Sequence, residues 1–413
     1  MAHNCNFTAL QPLLTISKCL GIFFVQHKLL ENSRCQYEIR IKDIQCWGIG
    51  ILSVIITSYT VFASYYINRK IDDIEDDLYQ ACLQALLLAS CFDILSVIGT
   101  SIVRSKDICS LLIELDEIDK VLCDATTIKA GLLDNLKSTL VHASGIGMLF
   151  IIGTFALDFG IKVSIGCSFT TLLVWYTFKV TWYLISQFRL LLFCALCYQV
   201  NVRLSMVNHL LIVAKLEIKL KQFVRLRRVQ SAILKIMHSL DNIFSPDIVV
   251  SLGASTIYVV VLLFLTASPE INETNKFLGI NIYLCQALHA TMGIATFLRV
   301  AAVAYMGEAV AFTAKEPSRI YCDMDMNEVE TNLQLQISLF ENQIESRQLH
   351  PTAAGFFDLG KSMLCTVVGI LLTYVIVLLQ FQVSSYEGLT FEEVTNASRT
   401  AQDTLSRLVS SDN

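Results

Sequence analysis

The side chains able to do chemistry are scattered along this chain, and their spacing fits neither catalysis nor metal binding. Cys194 and Cys197 have the spacing of a redox or metal dithiol. They lie in an unbroken apolar run with no histidine beside them, so they read as packing groups. Cys82, Cys167 and Cys285 stand near the ends of apolar runs, where a bridge among them is open but unsupported. No glycine-rich phosphate loop, nucleophile elbow or pair of catalytic carboxylates appears, so neither an enzyme nor a metal or cofactor site is expected. What remains is a set of lone polar groups inside long apolar runs. Asp93 and Lys179 sit in the middle of theirs and could pair, as in a proton or substrate relay. Arg189, Arg299 and Lys361 lie nearer run ends, where their stems can snorkel.

Those apolar runs define the chain. Of 413 residues, 54% are hydrophobic and 16% charged, against roughly 25% charged in soluble domains. Mean hydropathy is +0.56. Soluble, disordered and fibrous classes are excluded, and nucleic acid is not an expected partner. A bilayer core needs about 20 helical residues. Seven segments meet this: S1 (44–67), S2 (79–103), S3 (138–160), S4 (165–198), S5 (247–268), S6 (277–303) and S7 (360–383). The apolar pattern of S4 runs on through Leu210, Leu211 and Leu216, so this helix must project beyond the bilayer. Ala9–Val25 is shorter and carries Pro12 and Lys18, which suits an interfacial or re-entrant helix. No basic residue precedes it and no cleavage site follows, so it is not read as a signal peptide.

Lys and Arg in the connections set the orientation. The N-terminal segment and the S2–S3, S4–S5 and S6–S7 connections hold 21, whereas the other loops and the tail hold 6. The N-terminus is therefore expected inside and the C-terminus outside. Two glycosylation sequons, at Asn272 and Asn396, fall on the outer side, and a third, at Asn6, falls inside. This orientation is the reverse of a G-protein-coupled receptor, and neither an Asp-Arg-Tyr-like triplet after S3 nor an Asn-Pro-X-X-Tyr in S7 is present.

Little lies outside the bilayer. The S1–S2 loop holds Asp72, Asp73, Glu75, Asp76 and Asp77, either a solvated turn or a vestibule that attracts cations. Inside, Ile108–Val121 and Asn327–Gln348 place apolar residues at helical spacing, among them Leu333, Ile337, Phe340 and Ile344. Such stripes need partners, and a cytoplasmic bundle with the long S4 and S6 would supply them. No internal repeat is visible.

S7 ends Thr373-Tyr374, five apolar residues, then Gln380-Phe381. This resembles the S7 signature of insect gustatory receptors, in the last span and near the C-terminus, as in that family. Ala354-Gly355-Phe356-Phe357 upstream resembles it too, as do the length, the span pattern and the inverted topology. The resemblance implies an all-α membrane protein of seven transmembrane helices. It implies a tetrameric ligand-gated cation channel, as a homotetramer or a heteromer with related receptors, in the plasma membrane of gustatory neuron dendrites. S7 would line the pore and the cytoplasmic helices would anchor the subunits. The chain then divides into an N-terminal cytoplasmic segment (1–43), S1–S6 with an outer-half ligand pocket (44–303), an anchor segment (304–359), the pore helix (360–383) and an outer tail (384–413). On S7, Val377 and Phe381 share a face with Thr373, and Gln380 borders it. An apolar ring there would block ions by dewetting, while packing against neighbouring helices is the plain alternative.

The outer half of the bundle collects amphipathic groups suited to a small organic ligand. Asp158 ends S3, while Trp175, Tyr176 and Trp182 face out from S4 around Lys179. Tyr258 is mid-S5, Tyr283, Gln286 and His289 descend S6, and Asp93 completes the set. The main sugar group of the family tends to carry Glu after the Thr-Tyr pair, where this chain has Val375. The expected tastant is a bitter plant secondary compound, with a fructose-type sugar as the alternative. A seven-span transporter is the alternative from another class.

Overall fold

A computed structural model describes residues 6–20, 26–29, 35–38, 44–71, 77–123, 129–164, 168–214, 220–267, 282–322, 331–346 and 349–381. The sequons at Asn272 and Asn396, the acidic residues 72–76, and Cys167 lie outside them. Ten helices account for nearly all described residues. They are α1 (Asn6–Cys19), α2 (Ile44–Ile71), α3 (Asp77–Val103), α4 (Ser105–Cys123), α5 (Lys129–Ser164), α6 (Phe169–Ala214), α7 (Leu220–Ala267), α8 (Ile282–Cys322), α9 (Thr331–Glu345) and α10 (Lys361–Phe381). Two small antiparallel pairs join them: β1 (Gln26–Leu29) with β2 (Cys35–Glu38), and β3 (Thr352–Ala353) with β4 (Phe357–Asp358).

Among the described residues, six helices are long and apolar enough to cross a membrane: α2, α3, α6, α7, α8 and α10. S3 lies within α5, whose apolar stretch Gly145–Ile161 is shorter than these spans. The expected spans therefore recur, but three of them sit in longer rods. α6 has 46 residues, α7 48 and α8 41, about 60–70 Å each at 1.5 Å per residue. S5 continues a rod that begins at Leu220, and S6 runs unbroken past residue 303, where the sequence had placed a boundary. An apolar run marks only the lipid-facing part of such a rod. The flanking turns are polar outside and apolar inside, so hydropathy loses them.

α6, α7 and α8 pack on one another and form the centre, with α3 against α7, α2 against α3 and α5 against α6. α1 packs against α5 and α6, burying Leu10, Leu13 and Leu14. It is thus part of the bundle. The two amphipathic segments fold as expected. α4 seats Ile108, Leu111, Leu112, Leu115 and Ile118 in the core, and α9 seats Leu333, Ile337, Phe340 and Ile344 against α7 and α8.

Charges fasten these rods together. Arg189 on α6 and Asp247 on α7 are both about 1% exposed and meet at 2.6 Å. Asp247 also accepts from Ser96, at 3.3 Å, and from Thr100 on α3. Arg203 on α6 makes a two-pronged contact with Asp119 on α4, at 2.7 and 2.9 Å. Snorkelling, expected for Arg189 and Arg299, is overturned: both are buried in protein, Arg299 at 6% exposure. Carboxylate and hydroxyl partners on facing helices hold them where water would otherwise be needed.

Candidate functional site

The expected ligand residues split into a connected core and outliers. Asp93 is fully buried and accepts hydrogen bonds from Trp182 Nε1, at 2.8 Å, and from the Ser251 hydroxyl. Trp182 lies edge-on to Tyr258, with centroids 5.1 Å apart, and to Tyr183 at 6.1 Å. Tyr176 donates to Asp158 and meets Phe155 and Phe159 edge-to-face. Lys179 Nζ stands 4.7 Å from the centre of the Trp175 ring and 5.9 Å from that of Tyr176. The set spans α3, α5, α6 and α7.

Tyr176 and Trp182 project from α6 into the bundle, at 5% and 1% exposure. One expectation fails here. Asp93 and Lys179 do not pair. A buried carboxylate needs donors, and Trp182 and Ser251 supply them to Asp93, while Lys179 lies against aromatic faces one turn away. Of the S6 candidates, Gln286 donates to the Thr266 carbonyl at 3.2 Å, on α7, and His289 is half-buried. Tyr283 lies in α8, but its side chain falls outside the described residues.

The polar core continues past the expected residues. Ser255 donates to the Ser251 carbonyl at 2.6 Å, and Arg299 on α8 donates to the Ser255 hydroxyl. The Arg299 guanidinium lies 5.0 Å from the Tyr183 ring centre, and Tyr183 and Thr296 hydroxyls are 3.4 Å apart. Ser251 and Ser255 escape a sequence reading because isolated serines in an apolar run carry no signal until the facing helix is known.

α10 is the second site. One side packs on its own protomer: Met363 and Leu371 are buried, and Leu364, Val367, Val375, Leu378 and Leu379 pack partly. Ser362, Thr366, Gly369, Thr373 and Gln380 are all exposed. Their spacing of 4, 3, 4 and 7 keeps them on one helix face. Val377, 37% exposed, borders that face. Phe381 is 62% exposed and stands about 100° from the middle of the face. A cleft of about 850 Å³ separates α10 from α3 and α7 and is lined by Ala85, Val260, Tyr374 and Leu378 among others. None of the expected ligand residues lines it.

The mount of α10 is firmly held. β3 and β4 turn at Ala354 and Gly355, both at positive φ (53° and 73°), a conformation glycine tolerates and alanine resists. Asp241 on α7 holds this turn, accepting from the Thr352 backbone N–H at 2.8 Å and from its hydroxyl at 2.7 Å. Ser245 on α7 accepts from the Ala354 N–H. Pro246 follows at once, in the middle of α7, where its missing N–H breaks one helical hydrogen bond. On the other side α8 comes so close that a Cβ on Gly307 would lie 2.1 Å from the Leu359 carbonyl oxygen. Gly307→Ala should therefore lower the melting temperature of the purified protein, as overpacking costs about 1–3 kcal/mol. Gly369→Ala, where a Cβ meets nothing within 4 Å, should leave it unchanged. Equal melting temperatures for the two variants would contradict the close approach.

The chain matches the 7tm chemosensory receptor family over residues 10–385 and belongs to that family. It is thus a multi-pass receptor and not an enzyme. It is 46% identical over 50 residues to gustatory receptor 2a of Drosophila melanogaster, a match that spans 12% of each chain. Its fold is that of the insect olfactory receptor OR5 from Machilis hrabei, at a TM-score of 0.62 and 14% identity. The same receptor in complex with eugenol gives a TM-score of 0.59 at 15% identity. In both, 90% of this chain and 97% of the other are covered.

Proposed function

We propose that this protein is a gustatory receptor: a tetrameric, weakly selective cation channel opened by a small-molecule tastant, with the pore formed by α10. The observation that carries the reading is the sidedness of α10. Ser362, Thr366, Gly369, Thr373 and Gln380 are all exposed and share one face, opposite the buried Met363 and Leu371, with Ser362 and Thr366 at the rim of the cleft to α3 and α7. Polar groups on a spanning helix face either water or protein, and four such faces around one axis would make a wettable path. Val377 borders that path and supplies an apolar constriction, with Phe381 at its flank. No charged side chain stands in this stretch, which suits weak selectivity.

The ligand enters from outside and is received by the aromatic set around Trp182, Tyr258, Tyr176 and Trp175, with Asp93, Asp158, Lys179, Tyr283, Gln286 and His289 around it. The N-terminus is cytoplasmic, the tail external and the location the plasma membrane of a taste neuron. Val375 in place of Glu favours a bitter plant compound over a sugar. The transporter alternative loses its support with the Asp93–Lys179 pair.

One experiment tests topology and ligand together. Cells express the protein with an epitope at each end and are screened by calcium imaging against sugars and plant secondary compounds, alkaloids among them. The C-terminal epitope should stain intact cells, the N-terminal one should not, and plant compounds should evoke the response. N-terminal staining without permeabilisation would contradict the orientation, and responses to fructose alone would favour the sugar reading.

A further inference from the structure

Arg299 has more donors than the protein satisfies. Its guanidinium carries five N–H groups. One nitrogen, Nη2, reaches the Ser255 hydroxyl, while Nε and Nη1 are buried without an acceptor. The residue is 6% exposed and lies inside a spanning helix. A buried, charged donor without an acceptor is among the costliest arrangements in a fold, and it calls for an explanation.

The location says what that is. On α8, Met292, Thr296 and Arg299 follow His289 at spacings of 3, 4 and 3 and share one face. Met292, Thr296 and Arg299 are buried. Arg299 stands against the Tyr183 ring, and Tyr183 and Tyr258 both meet Trp182 edge-on. The neighbouring charges are balanced: Asp247 is paired with Arg189, and Asp93, committed to Trp182 and Ser251, offsets Arg299. An anion would add a net negative charge to this set. A protonated amine would meet the guanidinium directly. An uncharged oxygen acceptor meets neither penalty and satisfies the open N–H groups.

We infer that the ligand is an uncharged, largely apolar compound bearing a carbonyl-type oxygen, such as a ketone, ester or lactone, that accepts from Arg299, and that protonated amines are rejected. This deepens the receptor reading and rests on it for the location of the pocket.

The test uses purified full-length protein and matched triads on one carbon skeleton. One triad is propiophenone, its amine analogue and propylbenzene; the other is dihydrocoumarin, tetrahydroisoquinoline and tetralin. Thermal shift reports binding, and current from cells reports gating. The carbonyl member of at least one triad should raise the melting temperature at concentrations about tenfold lower than the hydrocarbon or the amine. Arg299→Gln should remove that advantage. Arg299→Lys retains the charge but loses Nε, so it should reduce the advantage too, and it serves where the glutamine variant fails to fold. Amines that bind as well as carbonyls, no binding by any member, or an advantage that survives both substitutions would overturn the inference. Selective binding of the carbonyl without current would uphold it and overturn the channel reading instead.

Discussion

Asp247→Ala should leave almost no folded receptor at the cell surface. The carboxylate faces Arg189 at 2.6 Å and also receives Ser96 and Thr100, so it joins α3, α6 and α7. Its removal strands a guanidinium that is about 1% exposed and cannot lose its proton. Removing one member of a buried pair costs about 3–5 kcal/mol, a large part of the about 5–15 kcal/mol that holds a typical fold. Asp247→Asn keeps a carbonyl acceptor and should fall between. The double change Arg189→Met with Asp247→Leu removes both charges and should recover much of the loss, because apolar replacement of a whole pair is often neutral. Surface biotinylation checks the series. Normal surface levels for Asp247→Ala alone would mean that the pair does not hold the bundle.

The second large effect concerns conduction at normal expression. Gln380→Arg places four like charges around a narrow axis if α10 lines the pore of a tetramer, and cation current should be nearly abolished. Val377→Ser should act in the opposite sense, since a polar ring keeps water in the closed path, and current without agonist should rise. Phe381→Ser should do the same more weakly, as Phe381 lies at the flank of the polar face. Leu378 packs on the protomer's own core beside Leu371, about 100° round the helix from Val377, so Leu378→Ser should not open the pore. Whole-cell recording with surface quantification separates these outcomes. Wild-type conduction in the Val377, Gln380 and Phe381 variants would remove α10 from the ion path.

Much of this architecture could be read along the chain, and the residues explain where reading stops. The spans, the amphipathic α4 and α9 and the two-sided α10 are periodic, and periodicity is local. The α9 stripe Leu333, Ile337, Phe340 and Ile344 is buried as its spacing dictates. Pairings between rods are not local. Charge and depth alone match Asp93 with Lys179, yet its partners Trp182 and Ser251 are 89 and 158 residues away. Asp241, Ser245 and Gly307 gave no signal, because their importance comes from the turn at Ala354–Gly355 that they grip. Arg189 and Arg299 read as membrane-edge residues because a lone arginine in an apolar run offers no sign of the carboxylate or hydroxyl facing it.

The central claim is that this receptor is itself a ligand-gated channel. Purified protein in a planar bilayer, recorded one channel at a time and exposed to an agonist found in the calcium screen, tests it most directly. The account predicts discrete openings that appear with agonist, carry both sodium and potassium, and vanish in Gln380→Arg. Saturable agonist-dependent flux without discrete openings would contradict it and point to a carrier.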